Sequence, residues 1–427
     1  MDFTAIEVHS DIKRTGYFKC SDEKINKLYN NVIWGQKDNF LDIPTDCPQR
    51  DERLGWTGDA QVFVKTAAYN FDVSLLFKKW LKDLAAEQET YGFVPFVVPS
   101  VIDEDEPSAA WGDAAVICPW QIYVTYGDKQ VLADQIESMK AWVDFIHAYG
   151  EDEYLWIGGE HFGDWLGLDS AEGSYKGISD TDMIASAYFA YSTAIVVKAL
   201  NVLGMDATYY SDMHDKIIKA LNHRFTEFKT QTECAIVLYF DLVPNRREIA
   251  DKLAQMVRDN GNKLQTGFVG TPYILEALSQ NGYADVAYNL LFQEEYPSWL
   301  FSVNMGATTI WEHWDGMKLD GTMWNADMNS FNHYAYGSVA SWMYETIAGI
   351  RTDEKNPGFE NIILAPITDS RLDWAEASIE TKFGPVRSKW SRENERINYE
   401  FEIPSKAVLK LDGKEITLNK GTHRFTI

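Results

Sequence analysis

The chain has 427 residues, room for two or three average domains or for one large helical barrel with an appendage. Its 64 acidic and 39 basic residues give a formal charge of −25, a field that repels nucleic acid and anionic membrane but not a neutral ligand. Four cysteines (Cys20, Cys47, Cys118, Cys234) show no paired spacing, so neither a zinc site nor a disulfide framework is suggested. The opening stretch through AIEVHSDIK lacks a basic n-region and an apolar h-region, and no uninterrupted apolar run reaches ~18 residues. A cytoplasmic protein is the expectation.

Helical signals begin at Ser21, which with Asp22 and Glu23 reads as a capped helix start with acids in its first turn. Ile25, Leu28, Tyr29, Val32 and Ile33 then repeat at helical spacing. The same period recurs over Gln61–Tyr69, Ser74–Ala86, Asp113–Tyr126 (interrupted by Pro119), Val131–Tyr149 and Asp182–Leu203. It continues over Tyr209–Phe225, Gln231–Leu242, Arg247–Asp259, Pro272–Gln280, Asp285–Gln293 and His333–Ile350. Twelve segments on mostly short connections predict six antiparallel hairpins. After Ile350 the period falls to two, through NPGFENIIL, Ser378–Thr381, Val386–Trp390, Ile397–Ile403 and His423–Ile427, with Gly-Pro and Asp-Gly turns between. That predicts a small β domain.

Four connections are long and aromatic-rich: Asp42–Gly58, Thr90–Gly112, Glu151–Ser179 and Phe301–Phe331. Long loops in compact domains are usually functional, and these are expected to gather at one mouth. The densest string, DCPQRDERLGWTGDAQVF (Asp46 to Phe63), holds Asp46, Asp51, Glu52 and Asp59 beside Arg50, Arg53 and Trp56. Charges around a flat ring suit a polyhydroxylated ligand, and a carboxyl crowded by negative neighbours can hold a proton at neutral pH. A surface salt-bridge cluster at a helix start is the plainer reading of charge alone. Far along the chain, Glu312 sits in TTIWEHW between Trp311 and Trp314. Two carboxylates from distant segments are what glycoside hydrolysis needs on either side of a sugar. The set Asp46, Glu52 and Asp59 offers Ca²⁺ its preferred oxygens, but the interleaved arginines argue against a metal.

The string Asp46 to Phe63 resembles the signature of the bacterial and fungal α-L-rhamnosidases of glycoside hydrolase family 78. The likeness continues through AAWGDAAV (Ala109 to Val116), YLWIGGEHFGDWL (Tyr154 to Leu166), TGFVGTP (Thr266 to Pro272) and YPSW (Tyr296 to Trp299). GATTIWEHWDG (Gly306 to Gly316) and NHYAYGSVASWMY (Asn332 to Tyr344) complete it. The resemblance implies a mainly α fold: an (α/α)6 toroid over 21–350 and a small antiparallel β-sandwich over 351–427. It casts residues 1–20 as the remnant strand of a preceding β domain. Loss of that domain is expected to expose apolar barrel surface along Ser21–Phe40 and to favour a homodimer or lowered stability.

By the same resemblance the chain hydrolyses terminal α-L-rhamnosyl residues of glycosides or oligosaccharides with inversion and without a cofactor. Glu52 matches the general acid and Glu312 the general base. Asp46, Arg50 and Asp59 match residues that hold sugar hydroxyls, and His333 a further hydroxyl ligand. Trp56, Trp111 and Trp165 match aromatic walls. Asp51 reads as a salt-bridge partner of Arg50 or Arg53, while Asp113 and Asp164 lie in motifs without an assigned role. Inversion places the two carboxyl groups about 6.5–9.5 Å apart. The alternatives are another inverting exo-glycosidase on the same barrel, or a sugar-binding fragment impaired in catalysis.

Overall fold

The computed structural model describes residues 3–4, 6–102, 106–150, 152–171, 174–325 and 328–427. The expected segments 1–20, 90–112, 151–179 and 301–331 therefore each include a few residues, Glu151 among them, that lie outside the described ones.

A strand, β1 (Gly16–Cys20), leads into α1 (Glu23–Asn39), followed by the short ribbon β2 (Phe40–Leu41) and β3 (Ile43–Pro44). Asp22 rather than Ser21 caps α1, its Oδ1 accepting from the Lys24 and Ile25 amides at 2.8 and 2.9 Å. The Ser21 hydroxyl accepts instead from the Asp373 amide. Next come α2 (Thr57–Asn70), α3 (Ser74–Tyr91), α4 (Ala114–Tyr126), α5 (Lys129–Tyr149), α6 (Thr181–Leu203) and α7 (Thr208–Arg224). Then follow α8 (Gln231–Tyr239), α9 (Arg246–Asp259), α10 (Thr271–Gln280) and α11 (Ala284–Leu291). α4 runs through Pro119 without the expected break; proline there forfeits one intrahelical bond to the Ala115 carbonyl. A short helix absent from the sequence-based expectation, α12 (Trp299–Asn304), follows the YPSW string. The final expected helix is composite, passing from a 3₁₀ turn (Ala335–Ser338) through α13 (Val339–Trp342) to a π turn (Met343–Ile347).

Burial sorts these helices into two rings. Every residue of α2 is buried except Lys65, and all of Gln231–Leu238 in α8 is buried. By contrast, α7 buries one stripe (Tyr210, Met213, Ile217, Leu221), as does α9 (Ile249, Ala250, Leu253, Ala254, Val257). A helix enclosed all round belongs inside, and one with a single apolar stripe belongs outside. The contacts agree: α2, α4, α6, α8, α10 and the composite helix touch in sequence and close on α2. This is the inner ring of a six-hairpin toroid. α6 has the length and apolar content to cross a bilayer, but it is mostly buried between α4, α5, α7 and α8.

Beyond the barrel come β4 (Ile350–Thr352), β5 (Asn361–Leu364), β6 (Trp374–Thr381), β7 (Gly384–Glu393), β8 (Arg396–Ile403), β9 (Lys406–Leu411), β10 (Lys414–Leu418) and β11 (Gly421–Thr426). They form a five-stranded sheet, β1-β6-β7-β8-β11, and a four-stranded sheet, β10-β9-β5-β4. Two expectations change here. The sandwich is not wholly antiparallel: β5 and β9 pair in parallel, because the chain crosses to the other sheet through β6–β8 before returning. And the strand at 16–20, expected as a remnant of a preceding domain, is the edge of the C-terminal sheet, Gly16 opposite Ile379 and Cys20 opposite Ala375. The Trp390 indole and Ser388 hydroxyl donate to the Ile347 and Ala348 carbonyls, pinning the sandwich to the end of the composite helix.

The apolar patch expected along α1 does not form. Its large apolar residues face α12, β1 and the turn Ala335–Ser338; Trp34 alone is exposed among them, with the Lys37 ammonium 4.6 Å from its ring centroid.

Candidate active site

The inner helices all run the same way, so their N-terminal ends meet at one mouth. Trp56 immediately precedes α2, Trp111 lies three residues before α4, Phe268 three before α10 and His333 two before the composite helix. The pocket there, of about 210 Å³, is lined by Asp46, Arg50, Glu52, Trp56, Asp59, Trp111, Phe162, Trp165, Phe268, Glu312, Met328 and His333. All nine residues singled out in the sequence line it. Phe162, Phe268 and Met328 were missed. The two phenylalanines lie inside motif strings already singled out, whereas nothing near Met328 marks it.

The charged loop is a closed turn. Asp46 and Leu54 exchange two hydrogen bonds: the Asp46 amide donates to the Leu54 carbonyl, and Asp46 Oδ1 accepts from the Leu54 amide, both at 2.9 Å. The next residues pair with the 96–98 segment through Thr57 N to Phe96 O and Val98 N to Gly55 O. Gly58 is obligatory for a packing reason: a Cβ there would stand 2.4 Å from the Trp111 ring. Trp111 thus lies flat on the backbone that carries Asp59. Asp51 projects into solvent 3.5 Å from Arg53.

Arg50 joins the two candidate catalytic carboxylates. Its Nε donates to Glu52 Oε2 at 2.8 Å, Nη2 lies 2.6 Å from the same oxygen, and Nη1 donates to Glu312 Oε2 at 2.9 Å. Nη2 also reaches Glu312 Oε1 at 3.4 Å and Asp46 Oδ2 at 3.5 Å. Glu52 Oε2 and Glu312 Oε1 are therefore at most 6.0 Å apart, the sum of the 2.6 and 3.4 Å legs through Nη2. That limit concerns one pair of oxygens and is compatible with a separation of 6.5–9.5 Å between the two carboxyl groups, which one guanidinium bridges. The Trp56 indole N–H donates to Glu52 Oε1 at 2.8 Å, holding its other oxygen. Asp46, Cys47 and Glu52 bring one ligand atom each within 4.8 Å of one another, a spacing that suits a metal ion; Arg50 Nη2 reaches both carboxylates of that group.

Charge is unevenly held in the pocket. Burial pushes the Asp46 carboxyl up to about 6, with His333 opposing and Glu52 reinforcing the shift. Asp46 thus takes up a proton at a higher pH than an ordinary aspartate and is mainly ionised at neutrality. His333 Nε2 stands 3.0 Å from Asp59 Oδ1, both nearly inaccessible to solvent. Burial disfavours a charge on His333, but Asp59, Glu312 and Asp46 outweigh it and raise the imidazole to about 9.

The two unassigned motif carboxylates turn out to be anchors. Asp164 is buried and accepts from the amides of Gly267, Val269 and Gly270 at 2.8–3.1 Å and from the Thr232 hydroxyl. It fixes the TGFVGTP turn that carries Phe268, while the Trp165 carbonyl accepts from the Phe268 amide. Asp113 accepts from the Ala110 amide, the Trp142 indole and the Ser192 hydroxyl, and so fixes the turn that carries Trp111. Trp311 and Trp314 pack behind Glu312, on Phe331 and Tyr336.

Comparison with known proteins agrees with this geometry. Residues 13–347 match the bacterial alpha-L-rhamnosidase six-hairpin glycosidase domain, and residues 349–425 match the bacterial alpha-L-rhamnosidase C-terminal domain. An alpha-L-rhamnosidase of Formosa agariphila is 38% identical over 417 residues, 95% of this chain and 44% of that protein. One from an Alteromonas species is 39% identical over 411 residues, 93% of this chain and 44% of its own length. The crystal structure of Streptomyces avermitilis alpha-L-rhamnosidase complexed with L-rhamnose superposes with a TM-score of 0.92 at 36% identity, covering 98% of this chain and 43% of that one. The chain spans less than half the length of these relatives.

Proposed function

The chain belongs to the bacterial α-L-rhamnosidase family, and on that premise we propose that it hydrolyses terminal α-L-rhamnosyl residues from glycosides or oligosaccharides. The observation that carries the reading is the meeting of Glu52 and Glu312 on opposite arms of one guanidinium in a pocket walled by aromatic rings. Glu52 gives a proton to the glycosidic oxygen as its bond to C1 breaks. Glu312 takes a proton from the water whose oxygen forms the new bond to C1 on the opposite face. Trp56, Trp111 and Trp165, with Phe162 and Phe268, give the C5 methyl of a deoxy sugar an apolar bed. The His333–Asp59 pair and Asp46 present charge to its hydroxyls.

The geometry adds a requirement. Glu52 Oε2 is held twice by Arg50 and Oε1 by Trp56. For Oε2 to reach a leaving oxygen, Arg50 turns toward Glu312 and Asp46, which it already contacts. Arg50 in this account is a positioning residue that exchanges partners as substrate enters.

The test is turnover of p-nitrophenyl α-L-rhamnoside against a panel of other aryl glycosides, with the first-formed anomer read by proton NMR. Preference for the rhamnoside and initial release of β-L-rhamnose are expected. Faster turnover of another glycoside favours a different exo-glycosidase on this barrel. Initial α-L-rhamnose sinks inversion.

A further inference from the structure

The barrel has a second cavity at its other end, built from the C-terminal parts of the inner helices. It measures about 430 Å³, twice the 210 Å³ of the pocket holding Glu52 and Glu312, and shares none of that pocket's residues. Its walls include Lys65, Tyr191, Tyr239, Glu276, Glu345 and Arg351, and a narrow inner shaft with many of the same residues continues from it toward the barrel centre. There Gln61, Tyr188 and Tyr273, linked by hydrogen bonds of 3.4–3.5 Å, stand between the shaft and the upper pocket.

We propose that this far cavity binds a neutral saccharide of one or two rings. Each of its acids has a cationic partner, Asp241 through Arg246 just outside the lining, which leaves no unpaired charge to select an ion. Lys65 pairs with Glu345 at 2.6 Å, Arg351 with Glu276 at 2.7 Å, and at the rim Lys198 pairs with Glu354 at 2.8 Å. Polar groups nevertheless remain available inside. The hydroxyls of Tyr191 and Tyr239 face the cavity with no protein hydrogen-bond partner among the described residues. Burial raises both phenols above their ordinary range, so each keeps its proton to donate. Lys65 uses one of its three N–H donors on Glu345, and Gln121 donates to Thr125 while its carbonyl oxygen is left to accept. Neutral phenol and amide groups beside paired charges, in a concave site with aromatic walls, match hydroxyl-rich uncharged ligands. The exposed Lys198–Glu354 pair sits at the entrance and parts at little cost, since solvent screens a surface ion pair.

The proposal goes beyond the catalytic reading and is separable from it, because binding is read without turnover. Isothermal titration with L-rhamnose is carried out on the whole chain, on Trp56→Ala, which removes a wall of the catalytic pocket, and on the double variant Tyr191→Phe/Tyr239→Phe. The double variant keeps both rings, including the Tyr191 stack on Phe240 at 3.9 Å, and its fold is checked by circular dichroism. Loss of two hydrogen bonds predicts at least ~10-fold weaker binding at one site in the double variant, with that same site retained in Trp56→Ala. Failure of the rhamnosidase reading alone leaves a single site, still lost in the double variant. An isotherm of the double variant that superimposes on the parent's, or binding abolished entirely by Trp56→Ala, overturns the far site. Crystals of Trp56→Ala soaked in L-rhamnose give a second readout: a sugar in the far cavity is expected, and an empty cavity overturns the proposal.

Discussion

At the mouth formed by the N-terminal ends of the inner helices, Asp46, Glu52, Asp59 and Glu312 share one guanidinium and one imidazole. At the opposite end, Glu276, Glu345 and Glu354 meet Arg351, Lys65 and Lys198 one to one. Both ends use carboxylates, cations and aromatic rings on a common frame, and they differ in balance. Helix N-termini carry partial positive charge, each stabilising a nearby anion by roughly 0.3–1 kcal/mol, so a surplus of carboxylates is tolerated where six such ends converge. C-termini favour cations, and there every acid has its own base. Surplus charge is what acid–base chemistry uses, because protons can be redistributed within it; matched pairs hold a wall in place. Substitutions at the two ends are therefore expected to register in different measurements.

The largest effect belongs to the upper mouth. Glu52→Gln and Glu312→Gln keep side-chain volume and remove acid or base, so each is expected to lower kcat by at least ~10²-fold on a rhamnosyl disaccharide. A nitrophenolate leaves with little protonation, so Glu52→Gln recovers part of its rate on the aryl substrate while Glu312→Gln does not. Near-parental kcat on the disaccharide in both variants would show that the pairing across Arg50 is structural.

At the far end the expected loss is in stability. Glu345 is nearly inaccessible and has two close side-chain partners, Lys65 at 2.6 Å and the Tyr69 hydroxyl at 2.7 Å. Lys65→Met leaves the carboxylate without its adjacent cation. Breaking a buried pair costs ~3–5 kcal/mol, and the partial exposure of Lys65 points to the lower part of that range, about 3 kcal/mol. Urea unfolding monitored by tryptophan fluorescence measures it. A loss below ~0.5 kcal/mol would mean that water already carries the charge, and the matched-pair description of this end would fail.

What the sequence disclosed follows from the range of the forces involved. All twelve expected segments are helical because their apolar periods are local. Short α12 carries too few residues to show a period. The Asp412-Gly413 pair, both at positive φ, is the Asp-Gly turn read from the sequence and marks the β9–β10 hairpin, whose two strands were not among the expected ones. The edge position of β1 was not legible, since pairing Gly16 with Ile379 is a contact across almost the whole chain. The nine pocket residues could be named because they lie in uncommon strings. Their mutual geometry could not, and Arg50 shows why: its role as a bridge depends on Glu312 arriving from another loop. Asp113 and Asp164 stayed without roles for a similar reason, their partners being backbone amides and hydroxyls that no side-chain pattern announces.

The smallest effect probes how the surplus at the upper mouth is held. His333 has its imidazole raised to about 9 from the usual 6.5, against the effect of burial, and Asp59 is the first of the anions that raise it. A raised pKa means that the protonated folded form is favoured. The corresponding stability is fully present below pH 6.5 and is lost as pH rises through about 9. Asp59→Asn removes the adjacent anion and leaves the opposing desolvation in place, with Glu312 and Asp46 as the remaining support. The His333 pKa is then expected to fall by roughly one unit or more, each unit being about 1.4 kcal/mol between the two protonation states. Proton–nitrogen NMR of the imidazole ring follows the titration directly, and urea melts at pH 6.5 and pH 9 check its sign. The parent loses stability between those two values from this group, and the variant loses less. If His333 titrated identically in both proteins, its charge would be held by the collective field of the mouth rather than by Asp59, and the surplus would be shared instead of paired.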